Sequence, residues 1–140
     1  MKLYHYLEKR ALIPVAALWL ATSIAADAPL QVAETSIKHV DAKQAQQLIK
    51  DKKVMVLDLR TPTEFKTGRI AGATNIDFMA GDFEERIKGL DKTKDYLVHC
   101  AVGGRSSRSL ATFKRQRFQS IYHLDGGIKA WEKAGLPLEK

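Results

Sequence analysis

The stretch His99-Cys100-Ala101-Val102-Gly103-Gly104-Arg105-Ser106-Ser107 concentrates more reactive chemistry than any other part of the chain. Gly103 and Gly104 admit backbone angles that other residues avoid, so successive amides can converge on one point. A helix opening near Arg105 adds the positive field of its amino end, and Arg105 adds a donor fork or a full charge. Together these lower a thiol from its ordinary pKa of about 8.5 and make a thiolate available near neutrality. The cradle from Ala101 to Arg105 also suits a divalent oxyanion, and thiosulfate fits it. Cys100 would attack the outer sulfur, sulfite would leave, and a persulfide would remain for a thiol, cyanide or a protein acceptor. The amides would hold first the donor and then the anionic persulfide, with no metal and no cofactor. The plainer readings are an inert core cysteine for Cys100, a simple turn for Gly103-Gly104 and a solvent-facing role for Arg108. His99 precedes the cysteine in a strand, so it points to the opposite face and reads as a packed histidine rather than a base.

Positioning such a loop requires a buried strand before it and a helix after it. Tyr96-Leu97-Val98 supplies the strand, which runs into His99 and Cys100, and 105–116 supplies the helix, with Leu110, Ala111 and Phe113 expected on its buried side. Ligands of parallel sheets gather at such carboxyl ends. Upstream, Ile37 to Val40 reads as a short strand and Asp41 as the cap of a helix carrying Ala42, Ala45, Leu48 and Ile49. Lys53 to Leu59 is apolar enough for a strand buried on both faces. Thr61-Pro62-Thr63-Glu64 has the pattern of a cap, a first-turn proline and an acidic first turn, with Gly68 closing a brief helix. A small strand around Thr74 to Ile76 precedes a short helix from Asp82 to Lys88 with Phe83 and Ile87 on one side. Ser120 to Leu124 forms the last strand, which turns through Asp125-Gly126-Gly127 into a helix with Trp131 facing inward. This alternation predicts an α/β fold with a mainly parallel sheet between helices.

The remaining arithmetic limits the alternatives. One cysteine in 140 residues excludes an internal disulfide and a four-cysteine zinc site. The formal charge of +7 favours anionic partners without selecting one. No zinc finger, aromatic platform or dense basic stripe indicates nucleic-acid binding, and Lys114-Arg115-Gln116-Arg117 reads as a solvated helix end. Met1 to Arg10 is basic and is followed by sixteen uncharged residues, Ala11 to Ala26. A helix of that length reaches about 24 Å, short of a hydrocarbon core of roughly 30 Å, so 1–25 reads as a secretory signal peptide cut after Ala25. The alternative is an uncleaved anchor that leaves the protein membrane-bound and facing the periplasm. Residues 26–35 then form a short polar leader, residues 36–140 the folded domain, and the compartment is periplasmic or otherwise exported.

Four blocks in order resemble the rhodanese-like family. They are Leu57-Asp58-Leu59-Arg60 with Glu64-Phe65; the stretch Gly68-Arg69-Ile70-Ala71-Gly72-Ala73-Thr74-Asn75-Ile76; Cys100 with Arg105; and Leu124-Asp125-Gly126-Gly127-Ile128-Lys129-Ala130-Trp131. The resemblance covers about Ile37 to Pro137 and implies a rhodanese-like fold, with a central mainly parallel five-stranded sheet and helices on both faces. It implies a sulfurtransferase in which Cys100 carries the sulfur, the amides of Ala101, Val102, Gly103, Gly104 and Arg105 bind the donor, and Arg105 closes the loop. Asp58 and Arg60 match the family's framework, and Arg69 stands where histidine is often found. With Ser106, these three are expected to support the site, as a charged cluster or as ordinary structural ion pairs. Relatives that use thiosulfate often carry basic residues directly after the cysteine. Here Ala101 and Val102 leave Arg105 as the single cation of the loop, which points to slow thiosulfate turnover or to a persulfide-bearing or protein donor.

Three rival functions remain. A noncatalytic interaction module would keep the fold and dock a partner through its charged surface. A phosphatase would need one residue more than the four between Cys100 and Arg105, and arsenate reduction through the same loop is favoured still less. Thiol–disulfide exchange would need a resolving cysteine from a partner.

Overall fold

The computed structural model describes residues 34–140, so the expected signal peptide and most of the leader lie outside the described residues. Five strands form one sheet in the order β1-β5-β4-β2-β3, every pairing parallel. They are β1 (Ser36–Val40), β2 (Met55–Asp58), β3 (Thr74–Asn75), β4 (Asp95–His99) and β5 (Ser120–Leu124). Between and after them run α1 (Ala42–Lys50), α2 (Pro62–Thr67), α3 (Phe83–Lys88), α4 (Gly104–Arg115) and α5 (Gly127–Lys133). Among the described residues no helix is long and apolar enough to cross a membrane.

Strand periodicity divides the core into two layers. Leu57, Tyr96, Val98, Cys100 and Ile121 point to one face, where Phe83 and Ile87 of α3 and Phe113 of α4 cover them. Val40, Val56, Leu97 and Leu124 point to the other face, against Ala42 and Ala45 of α1 and Ile128 and Trp131 of α5. Helices on both faces of a five-stranded sheet are therefore the observed architecture. Trp131 faces inward as expected, and its indole N–H donates to the Pro137 carbonyl at 2.9 Å.

Local signals set most of the element ends. The Asp41 carboxylate accepts the Gln44 N–H at 2.8 Å while the Gln44 side chain returns to the Asp41 N–H at 3.0 Å, a reciprocal cap on α1. Thr61 and Glu64 make the same box on α2. The strand expected over 53–59 is shorter, covering Met55–Asp58 only.

The buried side of α4 differs more. Ala111 is exposed and Leu110 only partly buried, whereas Ser106, Ser109, Thr112 and Phe113 face inward. Apolarity misjudged this helix because its inner face is largely hydroxylic, and the buried hydroxyls are satisfied locally. Ser109 donates to the Ser106 carbonyl at 2.6 Å, and Ser106 sits within hydrogen-bond reach of His123 at 2.9 Å.

Candidate active site

Strand β4 carries Cys100 to the carboxyl end of the sheet, and the chain from Ala101 to Gly103 curls back over the sulfur before α4 begins. The loop is clamped from outside by the start of α5. Ile128 N–H donates to the Cys100 carbonyl at 2.9 Å and Lys129 N–H to the Ala101 carbonyl at 3.1 Å. With those carbonyls turned toward α5, the amides that follow are free to face the thiol. Gly103 makes this possible, because its φ of +101° lies where a side chain is strained. Gly104 has no such requirement; it is the first residue of α4 and open space surrounds it.

The Gly103 N–H lies 3.2 Å from Cys100 Sγ and the Ser106 hydroxyl 3.5 Å from it. Burial pushes the thiol pKa up, but the Ser106 hydroxyl and the backbone N–H groups of Ser106, Gly103 and Val102 outweigh it, so the net displacement is downward. The sulfur itself is covered by protein rather than open to solvent. Cys100 is 1% exposed and belongs to the apolar layer under α3 and α4, while its loop neighbour Val102 is 68% exposed. The thiol thus combines an apolar surround with donors aimed at its charge.

Arg105 does not present a free fork. Its two terminal nitrogens bind Glu64 of α2 at 2.8 and 2.7 Å. The Arg105 guanidinium holds the Glu64 carboxyl down at about 2, against a smaller upward effect of burial. The Arg105 pKa rises in turn, mainly through Glu64 and to a lesser degree through Cys100. Glu64 therefore caps α2 and fixes the first turn of α4, a pairing across 41 residues of sequence that no local pattern indicates.

Of the two arrangements expected for Asp58 and Arg60, these residues form the structural ion pair, and it is buried. Arg60 Nε lies 2.9 and 3.1 Å from the two Asp58 oxygens, one terminal nitrogen lies 2.6 Å from Oδ2, and the same nitrogen reaches the Gly68 carbonyl at 2.7 Å. The pair thereby joins the end of β2 to the end of α2. His99 lies fully buried on this side, its Nε2 3.7 Å from Asp58 and without a hydrogen-bond partner. Burial lowers its pKa, which keeps it neutral. Arg69 stands apart from this pair: its guanidinium lies 5.1 Å from the Phe65 ring centre and its backbone pairs with Glu139.

A cavity of about 210 Å³ opens beside the loop, with Arg60, Glu64, Ala101, Lys129 and Glu132 among its walls. Its ionic groups are already paired, Arg60 with Asp58, Glu64 with Arg105, and Lys129 with Glu132 at 3.0 Å.

Sequence reasoning missed His123. Its Nε2 meets Ser106 Oγ and its Nδ1 lies 2.9 Å from Asp125 Oδ1, which also holds His39 Nδ1 at 2.7 Å. Parallel register places His39 beside His123, a relation invisible in the linear chain. This trio could be mistaken for a metal site. The two nitrogens share one carboxylate oxygen at hydrogen-bond distance, closer than the separation of about 3.3 Å that tetrahedral zinc bonds of about 2.0–2.1 Å impose.

The rhodanese-like domain family model matches residues 41–134. The thiosulfate sulfurtransferase GlpE of Pseudomonas putida is 33% identical over 106 residues, covering 75% of this chain and 93% of that protein. A sulfurtransferase of Allochromatium vinosum is 29% identical, over 73% of this chain and 94% of its own length. Among solved structures, a rhodanese-related protein from Thermoplasma volcanium superposes with a TM-score of 0.65 at 33% identity, covering 73% of this chain and 97% of that one. The sheet, the cysteine loop and these matches agree: the chain belongs to the rhodanese-like domain family.

Proposed function

We propose that this protein is a rhodanese-type sulfurtransferase that carries sulfane sulfur as a persulfide on Cys100. The observation that carries the reading is the Gly103 amide 3.2 Å from Sγ, at the head of a loop whose donors lower the thiol pKa. The thiolate attacks the outer sulfur of a donor, the donor's S–S bond breaks, and its electron pair leaves with sulfite or a thiolate. An acceptor thiolate, cyanide or protein thiol then attacks the terminal sulfur, and Cys100 regains its thiolate. The loop amides stabilise the anion in both states. Relatives of nearly the same length as the matched region support a single-domain sulfurtransferase.

The preferred donor is a small thiol persulfide rather than thiosulfate. Ala101 and Val102 bring no charge, and Arg60, Arg105 and Lys129 all have carboxylate partners, so a dianion meets little uncompensated positive charge. The basic leader followed by sixteen uncharged residues supports an exported enzyme working outside the cytoplasm.

The test compares donors with the purified protein. Thiosulfate should release sulfite measurably, but glutathione persulfide should show at least about tenfold higher kcat/KM. Cys100→Ser should abolish both activities. Sulfite release by that variant at the parent rate would remove the proposed nucleophile, and a clear preference for thiosulfate would remove the donor assignment.

A further inference from the structure

Cys100 is 1% exposed, so its thiol is surrounded mostly by protein groups rather than bulk water. A continuous path of side chains nevertheless runs from the sulfur to the surface. Ser106 Oγ lies 3.5 Å from Sγ and 2.9 Å from His123 Nε2. His123 Nδ1 lies 2.9 Å from Asp125 Oδ1, and that oxygen is 2.7 Å from His39 Nδ1. The His123 side chain is 5% exposed, whereas those of Asp125 and His39 are each 56% exposed. We propose that Ser106, His123 and Asp125 form a proton relay that takes the thiol proton from Cys100 and leaves the positive charge on His123, against the exposed carboxylate of Asp125. The proposal rests on Cys100 being the sulfur-carrying nucleophile and adds the group that receives its proton.

A hydroxyl has one proton, which makes the relay directional. In the resting form the Cys100 S–H points at Ser106 Oγ, Ser106 donates to the lone pair of His123 Nε2, and His123 Nδ1–H donates to the Asp125 carboxylate. On activation the S–H bond breaks and its proton bonds to Ser106 Oγ as the serine's own proton passes to His123 Nε2. The product is a thiolate accepting from the Ser106 hydroxyl, and an imidazolium donating to Ser106 on one side and Asp125 on the other. One positive and one negative charge appear, no electrons change hands, and the reverse transfer restores the thiol.

The surroundings favour this outcome. The Asp125 carboxyl is held below its usual range, chiefly by His39 and also by His123, so it stays ionised opposite the imidazole. The ionisable groups set against His123 are His39 from β1, Asp125 after β5, and Cys100 through Ser106; Gly103 contributes only its backbone near Cε1. The Gly103 carbonyl, which also lies 3.1 Å from the Ser106 hydroxyl, already accepts the Ser107 N–H at 2.9 Å and does not require the serine's proton. Ser106 touches the reacting sulfur, and His123 and Asp125 act through it.

The test measures the rate of Cys100 alkylation by iodoacetamide against pH, with a chelator present and no sulfur donor. The parent should give a midpoint below that of a free thiol. Ser106→Ala and His123→Gln should each move it upward and slow alkylation at pH 7 by about tenfold or more, with thermal unfolding as the check on folding. His123 ring 15N shifts in the parent protein supply a measurement that needs no substituted chain. His123 should keep its second proton while Cys100 loses its own as pH rises, and should release it at lower pH once Cys100 is alkylated. A folded His123→Gln variant with the parental alkylation profile, or a His123 titration indifferent to alkylation, overturns the relay. Neither readout uses sulfur transfer, so a protein that moves no sulfur yet shows the coupled titration loses its proposed activity and keeps its relay.

Discussion

The carbonyl oxygen of Cys100 lies 2.5 Å from the point a Cβ on Gly127 would occupy, and the Ala101 oxygen 2.7 Å from it. That approach, with a φ of +60° at Gly127, lets the first amides of α5 hold both loop carbonyls outward. Gly127→Ala should therefore destabilise the domain by more than about 2 kcal/mol in urea unfolding and raise the Cys100 thiol pKa by loosening the loop. Gly104→Ala provides the contrast: it has open space and helical geometry, so it should be neutral or stabilising by up to about 1 kcal/mol.

The pair Glu64–Arg105 predicts an acid limb of stability. Glu64 has a folded pKa of about 2 against 4.5 for the free group, so its contribution is complete above the unfolded value and is lost as pH falls toward 2. Because these side chains are 35% and 22% exposed, solvent screening reduces the contribution to about 1–2 kcal/mol. Glu64→Gln should flatten the parent's loss of stability between pH 4.5 and 2, measured by denaturant midpoints at each pH.

Arg105→Lys should retain the charge yet lose the two-pronged grip on Glu64. The expected result is a fall in kcat/KM of about tenfold with an unfolding temperature lowered by only a few degrees, since the loop end shifts and part of the pair is lost while the core remains intact.

Removing Asp58 should cost far more. Asp58→Ala leaves the Arg60 guanidinium buried without its carboxylate, which predicts a loss of about 3–5 kcal/mol by denaturant titration. Replacing both residues with apolar side chains of similar volume should recover much of that loss, which identifies the cost as an unpaired buried charge.

What was legible in the sequence was whatever depends on near neighbours. Asp41 and Thr61 announced two helix starts because a cap and its partner lie three residues apart. Strands were readable from apolar runs, and Cys100, Gly103 and Arg105 marked the loop because one turn of chain contains them. The sheet order was hidden, since parallel pairing joins segments that no short-range signal connects. So was the role of Glu64, which reads as an ordinary helix-start acid until α2 meets α4. The inner face of α4 was misread because Ser106 and Ser109 are buried by hydrogen bonding, whereas Ala111, apolar and exposed, satisfies the usual pattern. His123 escaped notice for a related reason, because its partners come from β1, α4 and the turn after β5.

The most direct test of the account is the intact mass of the protein after one equivalent of thiol persulfide, followed by addition of excess acceptor thiol. The account predicts a gain of about 32 Da, located by peptide mapping to the fragment containing Cys100 and erased by the acceptor. An unmodified Cys100 under conditions where the protein still transfers sulfur would contradict it.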